Sequence, residues 1–580
     1  DDQGYGDLSC HGNPVLKTPN LDRLHANSVR FTDFHVSPVC SPTRAALLTG
    51  RDPMRAGVWT TVNQLSNIYR DEKTLADMFA HNGYHTAMFG KWHNGDVPPY
   101  RPHDRGFEKA VIEPGGACYM MANHWGNDCV DDTYGHNGKP EGFTGYRTDI
   151  WFDEAIKWME QRHEKKEPFF VYLATCAPHG PWLVPKQYSE PYRRHAKVKD
   201  FFGMIAKVDE NMGRLETFLQ KRGMADNTLL IFMSDNGTAG GSRIWNARMR
   251  GSKGSVFEGG HRVPCFVRWP AAGVSGGRDI DILTAHIDWF PTLMDLCQLK
   301  PPPGGKALDG VSLAGLLKGT EKDLPERTII VNGNIKHNVV DALDGDETKW
   351  GGSVMRGPWR LINGKALYNI KADPGQKKDL AGRHPELVQQ LRAKYETYWK
   401  EVCPDAESRK RPIDISPDAG QECKLTPLDW HRISGPLVFS HDHVREGRAG
   451  HGYWILDVAR AGDYRIEVRR WPREANAAMQ AGLPKVHAEL TSFRAGNALP
   501  IAKVWVLLGE SKLSQRVARN DKSAVFNVHL SLGQTQLRAW FQDGKSEDLG
   551  GAYYVYIKKM KGSGDLSCGR DDQGRIPGRH

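Results

Sequence analysis

Several short segments carry side chains suited to one kind of chemistry. Asp1-Asp2 are adjacent carboxylates, and Asp235-Asn236-Gly237 follow directly on the apolar run 228–233. Three carboxylates and an amide oxygen make a hard-oxygen set for Ca²⁺ or Mg²⁺. A second segment, Val39-Cys40-Ser41-Pro42-Thr43-Arg44-Ala45-Ala46-Leu47-Leu48-Thr49-Gly50-Arg51, reads as a short helix. Ser41 is expected as its cap, Pro42 as its first residue and Gly50 as its stop, so that Cys40 lies just ahead of it. The helix dipole and Arg44 both favour negative charge at that cysteine. Basic groups recur in Gly90-Lys91-Trp92-His93, in Ala177-Pro178-His179-Gly180-Pro181 and at Lys253 within the glycine-rich stretch 251–260. Taken singly, each has an ordinary explanation: a buried cysteine, an Asp-Asn-Gly turn, a solvated lysine. Glu258 fits a brace for the glycine-rich loop better than a catalyst.

The chain around these segments has 580 residues, 39% hydrophobic and 25% charged, which is a globular balance with room for two or three domains. It contains no run of about 18 apolar residues, so no membrane span is expected. The net charge of +9 is mild for this length and suits an anionic substrate. Without a basic stripe or motif it indicates no nucleic-acid partner. Ten cysteines show no metal-ligand spacing, and at most one or two bridges are expected.

Over the first four hundred residues, apolar strand-like runs alternate with amphipathic helices, which predicts an α/β fold with a largely parallel sheet flanked by helices. The runs 169–173 and 228–233 read as strands buried on both faces. Phe201, Ile205, Val208, Met212, Leu215 and Leu219 mark one face of a long helix stopped by Gly223, and Trp151, Ala155, Trp158 and Met159 mark a shorter one. Residues 1–320 are read as the catalytic domain and 321–403 as a small α+β subdomain, with a hairpin at 359–370 and a helix from Pro385. Polar residues 404–430 read as a linker. Period-two alternation through Tyr464, Ile466, Val468 and Phe526, Val528, Leu530 predicts a β-sandwich over 431–560. The Gly-rich tail 561–580 repeats Asp571-Asp572-Gln573-Gly574 and is expected to be disordered, with no function for its acidic pair.

Together, the Cys-x-Pro-x-Arg core with Leu48-Thr49-Gly50-Arg51 and the other motifs in this order resemble the type I sulfatase family, the formylglycine-dependent, arylsulfatase-like branch of the alkaline-phosphatase-like superfamily. The resemblance covers about residues 1–400 and includes Leu367-Tyr368 and Asp373-Pro374. It implies that a separate maturation enzyme oxidises Cys40 to Cα-formylglycine, whose hydrate is the nucleophile. It implies divalent-metal ligands at Asp1, Asp2, Cys40, Asp235 and Asn236, usually for Ca²⁺. Arg44 would hold the formylglycine diol, and Lys91, His93, His179 and Lys253 would surround the sulfate. His179 is expected to protonate the leaving oxygen, and His93 to take the proton whose loss expels inorganic sulfate. The family setting implies a periplasmic or extracellular location. The family reaches its Asp-Asp pair at the end of an apolar strand, whereas nothing precedes Asp1 here. The expectation is therefore a truncated chain with Asp1 and Asp2 poorly fixed and metal affinity impaired.

Residues 94–147 are expected to loop near the pocket mouth. Arg101, His103, His124, Trp125, Asn127 and Asp128 are its candidate contacts to a sulfated polysaccharide or oligosaccharide. Arg105-Gly106-Phe107 reads as structural. The sandwich, with Trp454, Trp471, Trp505 and Trp540, is either a carbohydrate-binding module or a scaffold, most of those tryptophans being expected in its core. Two other functions stay open from sequence: a phosphodiesterase or phosphonate monoester hydrolase of the same superfamily, and a non-catalytic glycan-binding protein.

Overall fold

A computed structural model describes residues 1–333, 349–403, 410–415 and 421–560. In the first domain the strands of the two main sheets are β1 (Val29–Phe31), β2 (His85–Lys91), β3 (Lys109–Glu113), β4 (Thr133–His136), β5 (Lys139–Gly142), β6 (Phe169–Ala174), β7 (Leu230–Met233), β8 (Cys265–Arg268) and β9 (Asp279–Ile280). One mixed sheet has the order β5-β4-β3-β2-β6, with β3, β2 and β6 parallel. Another has the order β9-β1-β8-β7. Helices α1 (Cys40–Thr49), α2 (Arg147–Glu164) and α3 (Lys199–Lys221) pack on these layers. Along α3 the stripe Phe201, Ile205, Val208, Met212, Leu215, Leu219 is buried, and Gly223 in the left-handed region (φ 67°) follows its end, as the pattern predicts.

The strands of the first domain lie in two main sheets. The edges β6 and β7 line a cavity of about 960 Å³, walled by Phe152, Met159, Met212 and Leu215 on helices α2 and α3 and by Leu47, Phe79 and Trp289 elsewhere. Among the described residues neither edge has a strand partner across it. For that reason β6 and β7 are half-buried over most of their length, where the apolar runs predicted strands covered on both faces.

Four antiparallel strands, β10 (Ile329–Asn332), β11 (Gly352–Arg356), β12 (Trp359–Ile362) and β13 (Ala366–Asn369), form a separate sheet. Helix α4 (Pro385–Val402) packs on it through Leu391, Tyr395 and Trp399.

The remainder forms two facing β-sheets around a common core. The strands are β14 (Ile413–Ile415), β15 (Glu422–Leu425), β16 (His431–Ser434), β17 (His451–Val458), β18 (Gly462–Arg469), β19 (Lys503–Leu508), β20 (Ser511–Arg516), β21 (Ala524–Leu530), β22 (Gly533–Gln542), β23 (Asp548–Gly551) and β24 (Tyr554–Lys559). One sheet runs β14-β17-β22-β19-β20, with β16 and β23 attached, and the other runs β15-β24-β18-β21. Residues 413–415 and 422–425, read from composition as linker, are thus strands of the sandwich. Their apolar positions Ile413, Ile415, Cys423 and Leu425 are buried in its core, which polar neighbours masked in the composition. The rest of that expected linker lies partly outside the described residues, as does the whole tail 561–580.

Candidate active site

Every element end that carries a candidate group points to one place. Lys91 ends β2, His179 follows β6 by a short loop, and Asp235-Asn236 follow β7, so carboxyl strand ends gather the charges as open α/β sheets do. The approach is close enough to demand glycine at position 90, where φ is 105° and an added Cβ would lie 2.1 Å from the Ala174 carbonyl oxygen. Helix α1 begins two residues earlier than predicted. Val39 in an extended conformation precedes it without a side-chain cap bond, Cys40 is its first residue, and Ser41 is buried inside. Gly50 closes the helix in the left-handed region.

Cys40 is buried, and its sulfur lies within 4.8 Å of carboxylate oxygens of both Asp1 and Asp235. The Asp235 carboxylate accepts two bonds from Arg44, from Nε at 3.0 Å and Nη2 at 2.7 Å, while Arg44 Nη1 donates to the Lys91 carbonyl at 2.7 Å. Arg44 Nη2 also lies 3.5 Å from Asp1 Oδ2. Lys91 pairs with Asp1, and Lys253 Nζ with Asp2 Oδ1 at 2.5 Å. The Asp2 amide donates to Asp235 Oδ1 at 3.1 Å, and Asn236 Nδ2 donates to Asp2 Oδ1 at 2.9 Å. Asp1 and Asp2 are therefore held by cations and by each other's neighbours, against the expectation that they would be poorly fixed. Buried ion pairs supply the anchoring that the sequence did not lead one to expect.

Burial works against charge on Asp2, but Lys253, then His179 and Lys91, outweigh it and hold the carboxyl well below the usual range. Asp235 is likewise kept ionised despite burial, chiefly by Arg44. The two histidines go the other way. Burial, reinforced by Lys91 and Arg44, pushes His93 well below the usual imidazole value. Burial and Lys253 do the same to His179, although Asp2 pulls against them. Each ring is oriented by a carbonyl: His93 Nε2 lies 2.9 Å from the Thr61 oxygen and His179 Nδ1 2.6 Å from the Gly180 oxygen. In the neutral rings those nitrogens carry the hydrogens, leaving His93 Nδ1 and His179 Nε2 with lone pairs.

The oxygen set passes a test of fit for a divalent cation. Asp1 Oδ1 and Asn236 Oδ1 are buried side-chain oxygens with no hydrogen-bond partner among the described residues. Such atoms are costly to bury unless a ligand satisfies them. All donors are carboxylate or amide oxygens, the chemistry of Ca²⁺ and Mg²⁺ rather than of softer metals.

These features agree with what comparison with known proteins finds: the sulfatase family profile matches residues 1–299. The chain belongs to the sulfatase family. Human arylsulfatase A is 30% identical over 454 residues, covering 68% of this chain and 85% of that protein. Mouse N-acetylgalactosamine-6-sulfatase is 31% identical over 367 residues, and the match spans about two thirds (66%) of its length. Among solved structures, Ps i-CgsB in complex with k-i-k-neocarrahexaose superposes with a TM-score of 0.61 at 27% identity, covering 70% of this chain and 97% of that one. No helix among the described residues is long and apolar enough to cross a membrane.

The six candidate sugar contacts make local or inter-domain contacts. Trp125 packs edge-on against Trp471 of the sandwich, with centroids 5.6 Å apart, and lies under Arg445. Asp128 accepts from the Leu490 amide at 3.1 Å. Asn127 bonds within its own loop, to Asn123 and the Thr133 carbonyl, and Arg101 pairs with Asp104. His103 sits beside Gly138, and the backbone amide of half-buried His124 donates to Asn123 Oδ1 at 2.8 Å. Trp125 and Asp128 thus also contact the accessory domain, a partner that loop polarity alone does not reveal.

Sequence reasoning missed Arg360. Fully buried on β12, it donates to Glu258 Oε1 at 2.7 Å and to Asp33 Oδ1 at 2.8 Å, tying the small sheet to the loop that carries Lys253. Its only signal was an arginine in an otherwise apolar strand, Trp359-Arg360-Leu361-Ile362. Glu258 acts as the brace its position suggested.

Proposed function

We propose that this chain hydrolyses sulfate esters of a sulfated carbohydrate and releases inorganic sulfate. The observation that carries the reading is the convergence of Cys40, three carboxylates, Asn236, Arg44, Lys91 and Lys253 from distant segments into one buried cluster. The carbohydrate class is supported by relatives named for N-acetylgalactosamine-6-sulfate and by the solved complex with a carrahexaose.

Asp1, Asp2, Asp235 and Asn236 would hold a divalent cation, Ca²⁺ first and Mg²⁺ second, which supplies positive charge for the sulfate oxygens. Cys40 oxidised to formylglycine by a maturation enzyme supplies, as its hydrate, an oxygen nucleophile and a second hydroxyl. Arg44, anchored by Asp235 and by the Lys91 carbonyl, orients that side chain from one turn along α1. Lys91 and Lys253 bring fixed cations to a water-poor site, where charge developing on sulfate oxygens is stabilised most. Both are paired with Asp1 and Asp2; with a divalent cation held by those carboxylates, both ammonium groups would be available to the anion.

His179 holds its ring by the Gly180 carbonyl and presents Nε2 for proton transfer to the leaving oxygen. His93, fixed by Thr61, presents Nδ1 to accept a proton when sulfate departs. An anion bound between Lys253 and His179 favours the protonated ring, offsetting the burial that otherwise keeps it neutral. A secreted setting, periplasmic or extracellular, is part of the same reading.

Mass spectrometry of the Cys40 peptide from active protein is the direct test; formylglycine is expected, and an unmodified thiol in fully active protein would refute the mechanism. Matched sulfate and phosphate esters of one sugar then separate a sulfatase from a phosphodiesterase or phosphonate hydrolase, with faster turnover of the sulfate expected.

A further inference from the structure

The outer face of the sandwich holds a feature that the active site does not use. Register places nine side chains on it in three rows: Lys512, Ser514 and Arg516 from β20, Leu507, Trp505 and Lys503 from β19, and Arg538, Trp540 and Gln542 from β22. Trp505 and Trp540 stand directly opposite one another and stack, with centroids 5.9 Å apart and planes 9° apart. All nine are exposed or half-exposed, while the alternate residues Val504, Val506, Leu537, Ala539 and Phe541 are buried in the core. Trp454 and Trp471, by contrast, are fully buried.

Cations surround the stacked pair. Lys512 Nζ lies 4.5 Å from the Trp505 centroid and Lys503 Nζ 4.9 Å, and the Arg538 guanidinium lies 5.1 Å from that of Trp540. None of the nine side chains is acidic, and among the described residues Lys503, Lys512, Arg516 and Arg538 take part in no recorded ion pair. A scaffold surface needs neither feature. Half-exposed indole rings cost hydration, and four like charges on one face repel unless an anion joins them.

We propose that this face is a second binding surface, for a sulfated polysaccharide chain remote from the active site. Indole rings stack on the C–H faces of sugars, and the four cations answer sulfate groups spaced along a polymer. The inference rests on the proposed sulfated-carbohydrate specificity. Its consequence is that the enzyme stays on polymeric substrate while the buried site acts, raising the local concentration of ester groups. Aromatic residues with basic neighbours on a sheet also suit single-stranded nucleic acid. The family of the catalytic domain favours the glycan, and the nucleic acid becomes an outcome of the test.

The test uses the full chain carrying Cys40→Ala, so that substrate is not consumed, and measures binding of κ-carrageenan, chondroitin sulfate and a twenty-residue oligothymidylate. At least one sulfated polymer is expected to bind, weakening with salt. The double variant Trp505→Ala/Trp540→Ala and, separately, Lys512→Ser/Arg538→Ser should each weaken it at least tenfold while keeping a cooperative melting transition. The milder Trp540→Ala alone, if the double variant misfolds, should still weaken binding. In the Cys40 background the same variants should leave turnover of a small sulfated sugar unchanged and raise KM on polymer. Absence of binding to both sulfated polymers, equal binding by the folded variants, or tighter binding of the oligothymidylate would each overturn the proposal. Failure of small-sugar turnover in the matured parent would instead sink the catalytic reading, so the two are distinguishable.

Discussion

The active site and the outer face of the sandwich are both rich in cations, but they hold them by opposite means. Around Cys40, Arg44 and Lys91 are buried and each is matched to a carboxylate. On the sandwich, Lys512 and Arg516 are exposed and Lys503 and Arg538 half-exposed, resting on indole rings or in water. A buried charge is tolerable only when paired, so the first arrangement is rigid and intolerant of change. A surface charge keeps its hydration, so the second is loose and open to an outside anion. The contrast suits a site for chemistry on one ester and a face for holding many.

That contrast can be broken experimentally. The largest effect belongs to Cys40→Ala, which should lower kcat by more than about 10³-fold in matured preparations. The melting temperature should move little, since Cys40 is a small side chain at a helix start. Steady-state turnover with thermal unfolding checks both. Arg44→Gln comes next: it leaves Asp235 ionised and buried, and the expected loss is about 3–5 kcal/mol in denaturant unfolding, along with activity. Retained stability would mean that the pairing is not what holds the cluster.

A smaller effect is expected where the sandwich meets the first domain. Asp429 there is pushed up to about 8 by burial, with Asp96 adding to the shift and bonds from Thr426 opposing it. Its folded value lies above the roughly 3.9 of an unfolded aspartate. The native state therefore binds the extra proton, and its contribution to stability is lost as pH rises from about 4 through about 8. Asp429→Asn should flatten the fall in melting temperature over that window; an unchanged slope would contradict it. Smallest of all, Lys512→Ser/Arg538→Ser should alter unfolding free energy by no more than about 0.5 kcal/mol, as expected for unpaired surface charges.

Much of this was legible before any coordinates. The 3.6-residue stripe of α3, the Asp-Asn-Gly after a strand and the cysteine at a helix start are local patterns, and local rules read them. The start of α1 was misread by two residues because Ser41 and Pro42 imitate a cap and a first position while Cys40 already has helical geometry. The contacts of Trp125 and Asp128 with Trp471 and Leu490 were not legible because those partners lie more than three hundred residues away. The strands at 413–415 and 422–425 were hidden by their length, too short for alternation to show.

Residue types and order alone determined the chemistry on offer: carboxylate and amide oxygens, a cysteine at a helix start, basic side chains, and a period change marking a second domain. Those are properties of single side chains and near neighbours along the chain. Tertiary structure alone decided which charges meet, that Arg360 clamps the Lys253 loop, and that two of the four named sandwich tryptophans face outward. Pairing and burial depend on contacts between segments hundreds of residues apart, and no local pattern encodes which of those segments will touch.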